Sequence, residues 1–134
     1  MKLEAVKVND EELRVMLESG LVLREAGRLD EAESIFQGLC RLVPQSEVPL
    51  VALSSIAVRR SNFDEALRLC EEALRQEPLS LFARVNRAEI LLYQKKRNEA
   101  EAELREIIQT DPDSPHSRTA HSLLEVARLI PETA

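Results

Sequence analysis

The sequence predicts an all-α fold, an array of three helical hairpins closed by one further helix, and two observations carry that prediction. Small residues return at a fixed interval of 34 as Ala32, Ala66 and Ala100, and Pro44, Pro78 and Pro112 keep the same interval. A third register, Gly20, Ser54 and Ala88, runs in phase with both. Three columns in one phase mark a tandem array rather than a single irregular fold. Composition agrees, since 44% of the 134 residues are hydrophobic but only 3% aromatic and three are Gly, a balance that suits helices and not sheets.

The elements follow in order from their punctuation. An N-terminal segment, residues 1–12, leads into units 13–46, 47–80 and 81–114, and residues 115–130 form the closing helix; together they make one domain over 1–134. The first helix begins after Asn9-Asp10, where a capping side chain precedes Glu11 and Glu12, and ends by Gly27. Its partner begins near Leu29-Asp30, and the pattern repeats twice. Two antiparallel helices approach closely only where facing positions lack bulk, which the small-residue columns provide. Each proline ends the second helix of its unit, because it holds its predecessor extended and donates no backbone hydrogen bond. Gly27 supplies a left-handed turn residue in the first hairpin. Ser61 and Lys95 stand in its place in the others, and Asn62 is expected to take the left-handed conformation in the second. Ser114-Pro115 reads as a cap and first-turn proline opening the last helix, through about Leu129. Its Ala120, Leu123, Leu124, Ala127 and Ile130 form one apolar stripe suited to covering the third hairpin.

With those residues in place, the chain resembles the tetratricopeptide repeat (TPR) family. The likeness rests on the small eighth residue of each unit, on Asp30-Glu31-Ala32, Asp64-Glu65-Ala66 and Asn98-Glu99-Ala100, and on the proline near each unit's end. It implies a right-handed superhelical array whose concave face binds protein segments. The aromatic residues usual at two helix positions are replaced by Met16 and Leu23, Leu50 and Ala57, Arg84 and Leu91. The third unit departs furthest, with Arg84, Lys95 and Arg97 at positions usually apolar or Gly.

Several function classes are excluded on chemical grounds. A formal net charge of −6 offers no basic stripe for nucleic acid. Residues 1–9 hold charges throughout and no later run approaches the ~20 apolar residues a spanning helix needs, so no membrane insertion is expected and the cytoplasm is the expected compartment. Cys40 and Cys70 read as small buried core residues facing the next unit. His116 and His121 lie five apart, off the spacing that puts two metal ligands on one helical face, and read as solvent-facing or capping. The glycines are too scattered for a phosphate loop, and Glu71, Glu72, Glu99, Glu101 and Glu103 fall on faces expected to be exposed. No cofactor, metal or catalytic residue is expected.

The informative surface is the concave one, lined by the first helix of each unit. Positions spaced by three and four on those helices give Leu17, Leu21 and Arg24 in the first unit, with Arg14 beside them. The second unit contributes Val48, Val51 and Val58, with Ser55 among them and Arg59 adjacent. The third contributes Phe82, Val85 and Leu92, with Glu89 among them and Tyr93 adjacent. Such an apolar face is expected to hold an apolar or amphipathic segment of a partner protein, or to be covered by Leu3, Val6 and Val8 of the chain itself. TPR co-chaperones that grip C-terminal carboxylates use Lys, Arg and Asn at positions occupied here by Leu17, Leu21, Ala52, Phe82 and Asn86, so that grip is excluded. Size, acidity and three units are similar to the TPR chaperones of type III secretion. A self-associating scaffold, assembling as a homo-oligomer through the groove or terminal hairpins, is the alternative.

Overall fold

In the computed structural model, which describes residues 8–131, seven helices follow one another: α1 (Asp10–Glu25), α2 (Leu29–Leu42), α3 (Val48–Arg59), α4 (Phe63–Gln76), α5 (Leu81–Tyr93), α6 (Arg97–Thr110) and α7 (Pro115–Ala127). The expected starts hold to within a residue, and at α1, α5 and α7 a side chain defines the start. Asn9 Oδ1 accepts from the Glu12 N–H at 2.8 Å, and Ser80 and Ser114 do the same for Ala83 and Ser117 at 3.1 Å each. α7 ends at Ala127, two residues short of Leu129.

All three hairpin turns share one hydrogen-bond pattern. The N–H groups of Arg28, Asn62 and Lys96 reach back to the carbonyls of Leu23, Ala57 and Leu91 at 2.9, 2.8 and 2.9 Å. That closure requires a left-handed residue just before each donor. Gly27 takes it with φ 80°, as expected, but in the second hairpin Ser61 takes it at φ 59° rather than Asn62, and Lys95 takes it in the third at φ 62°. Asn62 is instead the cap of α4, accepting from the Glu65 N–H at 3.4 Å with φ −96°. The capping role and the left-handed role fall on consecutive residues, so one Asn cannot supply both.

Packing confirms the notches. Ala32, Ala66, Ala88 and Ala100 have no exposed surface, and Ser54 Oγ donates across its hairpin to the Ala66 carbonyl at 2.8 Å. Gly20 admits the ring of Phe36, the largest fully buried side chain. Helices touch only neighbours one or two places away in order: successive helices pack together, and α1, α3, α5 and α7 form one layer opposite α2, α4 and α6. The stripe on α7 works as the sequence predicts, with Ala120 joining the core of Val85, Ala88, Leu104 and Ile107, and Ala127 joining Leu91, Leu92 and Ala100.

The charges at core positions of the third unit are neutralised by α6. Arg84 and Arg87 both bond the Glu103 carboxylate, at 3.2 and 2.8 Å, and Arg97 bonds Glu101 at 2.7 Å. Glu103 and Glu101 are therefore mostly buried, at 12% and 15% side-chain exposure, which corrects the expectation of an exposed face; Glu99 is exposed. Cys70 is buried and its thiol donates to the Ala83 carbonyl of the next unit at 3.0 Å. Burial pushes that thiol up to about 11, outweighing the opposing effects of Asn86 and Arg87. Cys40 is only half-buried, short of the full burial expected of it. His121 is exposed, while His116 is half-buried and stacks on Phe82 with ring centres 6.1 Å apart, so it is neither solvent-facing nor a cap.

Candidate functional site

The layer of α1, α3, α5 and α7 carries the concave face, and the side chains named on it divide by depth. Val51, Val85 and Leu92 have 2%, 7% and 6% of their surface exposed, each inside a core cluster. They form the floor. The expectation that these central residues offer open apolar surface is thus corrected: α3 packs on both α1 and α5, and α7 on α5, so the array covers its own middle positions. Val58 is half-buried against the same core.

The walls remain open. Leu17, Leu21 and Arg24 of α1, Val48, Val51, Ala52 and Ser55 of α3, and Phe82 of α5 enclose a cleft of about 220 Å³. Six of the residues singled out in the sequence meet there, whereas Val58, Arg59 and Val85 do not line it. A second apolar hollow of about 330 Å³ shares Leu17 and Val48 and extends past Leu13, Leu39 and Val43 toward Asp10. A third, about 290 Å³, lies at the other end between α5 and α7, where Leu92 and Tyr93 face Leu123, Val126 and Ile130, with Glu89 at its edge. Val8 is half-buried, and Leu3 and Val6 lie outside the described residues.

Polar groups on this face are few and mostly committed. Arg24 donates through Nη1 to Ser55 Oγ at 2.7 Å, and Ser55 in turn donates to the Ala52 carbonyl at 2.7 Å. Arg24 Nε is buried and has no hydrogen-bond partner among the described residues. Arg59 donates to the Arg24 carbonyl at 2.8 Å and to both oxygens of Glu25 at 3.0 and 3.1 Å, so it ties the end of α1 to α3 and frames the groove. Asn86 donates to Ser54 Oγ at 2.8 Å. Its amide is engaged within the core, which leaves the carboxylate-gripping positions with no free donor among Leu17, Leu21, Ala52 and Phe82. Glu89 is half-buried, and loss of water raises its pKa above the usual carboxylate range against the attraction of Arg24.

Sequence reasoning did not assign Ala52, Ser55, Glu89, Leu123, Val126 or Ile130 to the site. Ser55 and Glu89 stood among the inner-face residues of their helices, but the binding expectation was placed on their neighbours. Leu123 and Ile130 were read only as cover for the third hairpin, although the edge of that stripe also walls the groove.

Comparison with known proteins places these features in a family. Two tetratricopeptide repeat models match, over residues 57–124 and 3–47. Anaphase-promoting complex subunit 3 of Schizosaccharomyces pombe is 26% identical over 110 residues, 82% of this chain but 16% of that protein, so the chain spans about a sixth of its relative's length. Among solved structures, the Yersinia enterocolitica type III secretion chaperone SycD, in complex with a peptide of the translocator YopD, is similar with a TM-score of 0.72 and 20% identity, covering 92% of this chain and 98% of that one. The first TPR of Spaghetti (RPAP3), bound to an HSP90 peptide, gives a TM-score of 0.72 and 19% identity, covering 93% of this chain and 97% of that one. Among the described residues, no helix is long and apolar enough to cross a membrane. With one model spanning 57–124, and with its hairpin notches, turns and caps where that repeat requires them, the chain belongs to the tetratricopeptide repeat family.

Proposed function

We propose that this chain is a protein-binding adaptor or chaperone that holds an apolar or amphipathic segment of a partner protein along its concave face, in the way of a cytoplasmic type III secretion chaperone. One observation carries the reading: the cleft of about 220 Å³ between α1, α3 and α5 is walled by Leu17, Leu21, Val48 and a Phe82 that is 40% exposed, with nothing in the described chain filling it. The structural likeness to a chaperone holding a translocator peptide supports it. So do the apolar side chains of Leu17, Leu21, Ala52 and Phe82 at the positions that would grip a terminal carboxylate, which turn the preference toward apolar side chains. An acidic chain with a net charge of −6 is a poor nucleic-acid binder.

The test is selection of a random displayed-peptide library on the purified chain. Apolar or amphipathic peptides should be enriched, and Phe82→Glu and Leu21→Glu, which change wall residues rather than the floor, should abolish the enrichment while keeping helical circular dichroism. A library that yields no binders, or binders indifferent to both substitutions, defeats the reading.

A second reading has its own observation. Val15 and Val22 lie seven apart on one face of α1 and are 50% and 67% exposed at the end of the array, as a self-associating scaffold would present them. Sedimentation velocity over a concentration series decides it, since a constant monomer rules out assembly through that hairpin.

A further inference from the structure

The hollow between α5 and α7 differs from the rest of the groove in carrying a half-buried carboxylate, whereas the Asp10 carboxylate beside the hollow of about 330 Å³ is exposed. Its walls are Leu92, Tyr93, Leu123, Val126 and Ile130, its volume is about 290 Å³, and Glu89 stands at its edge. Among the described residues, the Glu89 carboxylate makes no hydrogen bond and no ion pair. The guanidinium of Arg24 acts on it only from a distance and is itself bonded to Ser55 and Glu25. Tyr93 is 52% exposed, and its ring is fixed by stacking on Phe63, with centres 5.5 Å apart and planes 13° from parallel.

These features select among occupants. A wholly apolar side chain would strip the remaining water from Glu89 and leave its charge uncompensated. An acidic one would be repelled. A long basic side chain fits both halves of the site: its methylene stem lies along the aliphatic walls, and its charged head reaches the carboxylate beside the face of an aromatic ring. We infer that this hollow is a pocket for a Lys or Arg side chain, so that the segment recognised carries a basic residue in register with the apolar residues taken by the cleft between α1, α3 and α5. The inference rests on the groove reading above and adds to it the charge of the partner. The protein's own negative net charge favours approach of such a segment.

The displayed-peptide selection is run on the wild-type chain, Glu89→Gln and Glu89→Lys, using a library free of Tyr and Trp. The chain has one Tyr and no Trp, so its intrinsic emission reports on Tyr93 alone. The expected result is enrichment of Lys or Arg at one register beside apolar residues, a change in Tyr93 emission on binding, and loss of affinity by about tenfold or more with Glu89→Gln, as removing a charged hydrogen-bond acceptor entails. Glu89→Lys should move the preference at that register to Asp or Glu. Glu89→Gln removes no ion pair and is expected to keep the fold, so it stands alone if the charge reversal does not fold. Apolar binders without a basic register, or a basic register unchanged by Glu89→Gln, overturn this inference and leave the groove reading intact; a library with no binders overturns both.

Discussion

Replacing Gly20 by Ala tests the hairpin packing at its tightest point. A Cβ at Gly20 would lie 2.7 Å from both Cε1 and Cζ of Phe36 and 3.3 Å from Cγ2 of Ile35. Ordinary contact begins near 3.4 Å, so the ring would have to retreat by about 0.7 Å. Phe36 has no exposed surface, and neighbours from α1, α2 and α3 surround it. Overpacking of this kind costs about 1–3 kcal/mol, while exchanging Gly for Ala in a helix interior gains about 1 kcal/mol. The net expectation is destabilisation by up to about 2 kcal/mol, or a fall in Tm of roughly 4 °C for each kcal/mol. Urea denaturation followed by circular dichroism gives the number. In a Phe36→Leu background the obstruction is gone, and the same substitution should stabilise by about 1 kcal/mol, a reversal of sign within one double-mutant cycle. Gly38→Ala is the control, since a Cβ there meets nothing within 4 Å and only the helical gain remains. If Gly20→Ala stabilises the wild-type chain as much as Gly38→Ala does, the close crossing of α1 and α2 is refuted.

Other expectations follow from the buried groups. The Cys70 thiol, pushed up to about 11 from an ordinary 9.0, keeps its proton in the folded chain where the unfolded chain has lost it. Stability is therefore full below about pH 9 and declines toward pH 11, by roughly 2–3 kcal/mol; a Cys70→Ala variant with the same alkaline decline would disprove the assignment. Val51→Glu with Val85→Glu, which put charge into the floor, should unfold the chain, whereas Phe82→Glu should not; a folded double variant would show that the floor is open after all. Ser54→Ala removes a hydroxyl that bonds the Ala66 carbonyl and receives the Asn86 amide, and a loss of about 1–3 kcal/mol is expected in denaturant titration, shrinking when Asn86 is already Ala.

The parts of the fold legible in the sequence are those fixed by one residue's chemistry. Ala66 must be small because Ser54 crosses there, Pro44 must end its helix, and Ser114 must cap the next, and each obligation is local enough to read from spacing. Burial depth is not of that kind. Val51 and Leu17 share a helical column, yet one is floor and the other wall, because Val51 lies on α3 with a helix on either side and Leu17 lies on the first helix of the layer. Only the superhelical stacking makes that distinction. Similarly, Glu103 looks like a surface charge and Arg84 like a charge out of place when each helix is viewed alone, and their pairing becomes necessary only when α5 and α6 bring them into one interior. Ser61 was missed for a different reason: the conformational tolerance of Asn62 was visible, but the hydrogen bond that decides which residue must turn was not.

Among the described residues, no helix touches one more than two places away. Such an architecture has low contact order and, among those same residues, no contact between its first and last helices, so it should form quickly and come apart from its ends, one hairpin at a time. The groove crosses every unit. A segment lying along it would touch α1 and α7 together and supply the end-to-end connection that the polypeptide lacks, so that its occupant would act as a strut against fraying. Occupancy and mechanical cohesion would then be one event, and an empty array would be the more readily unravelled and degraded.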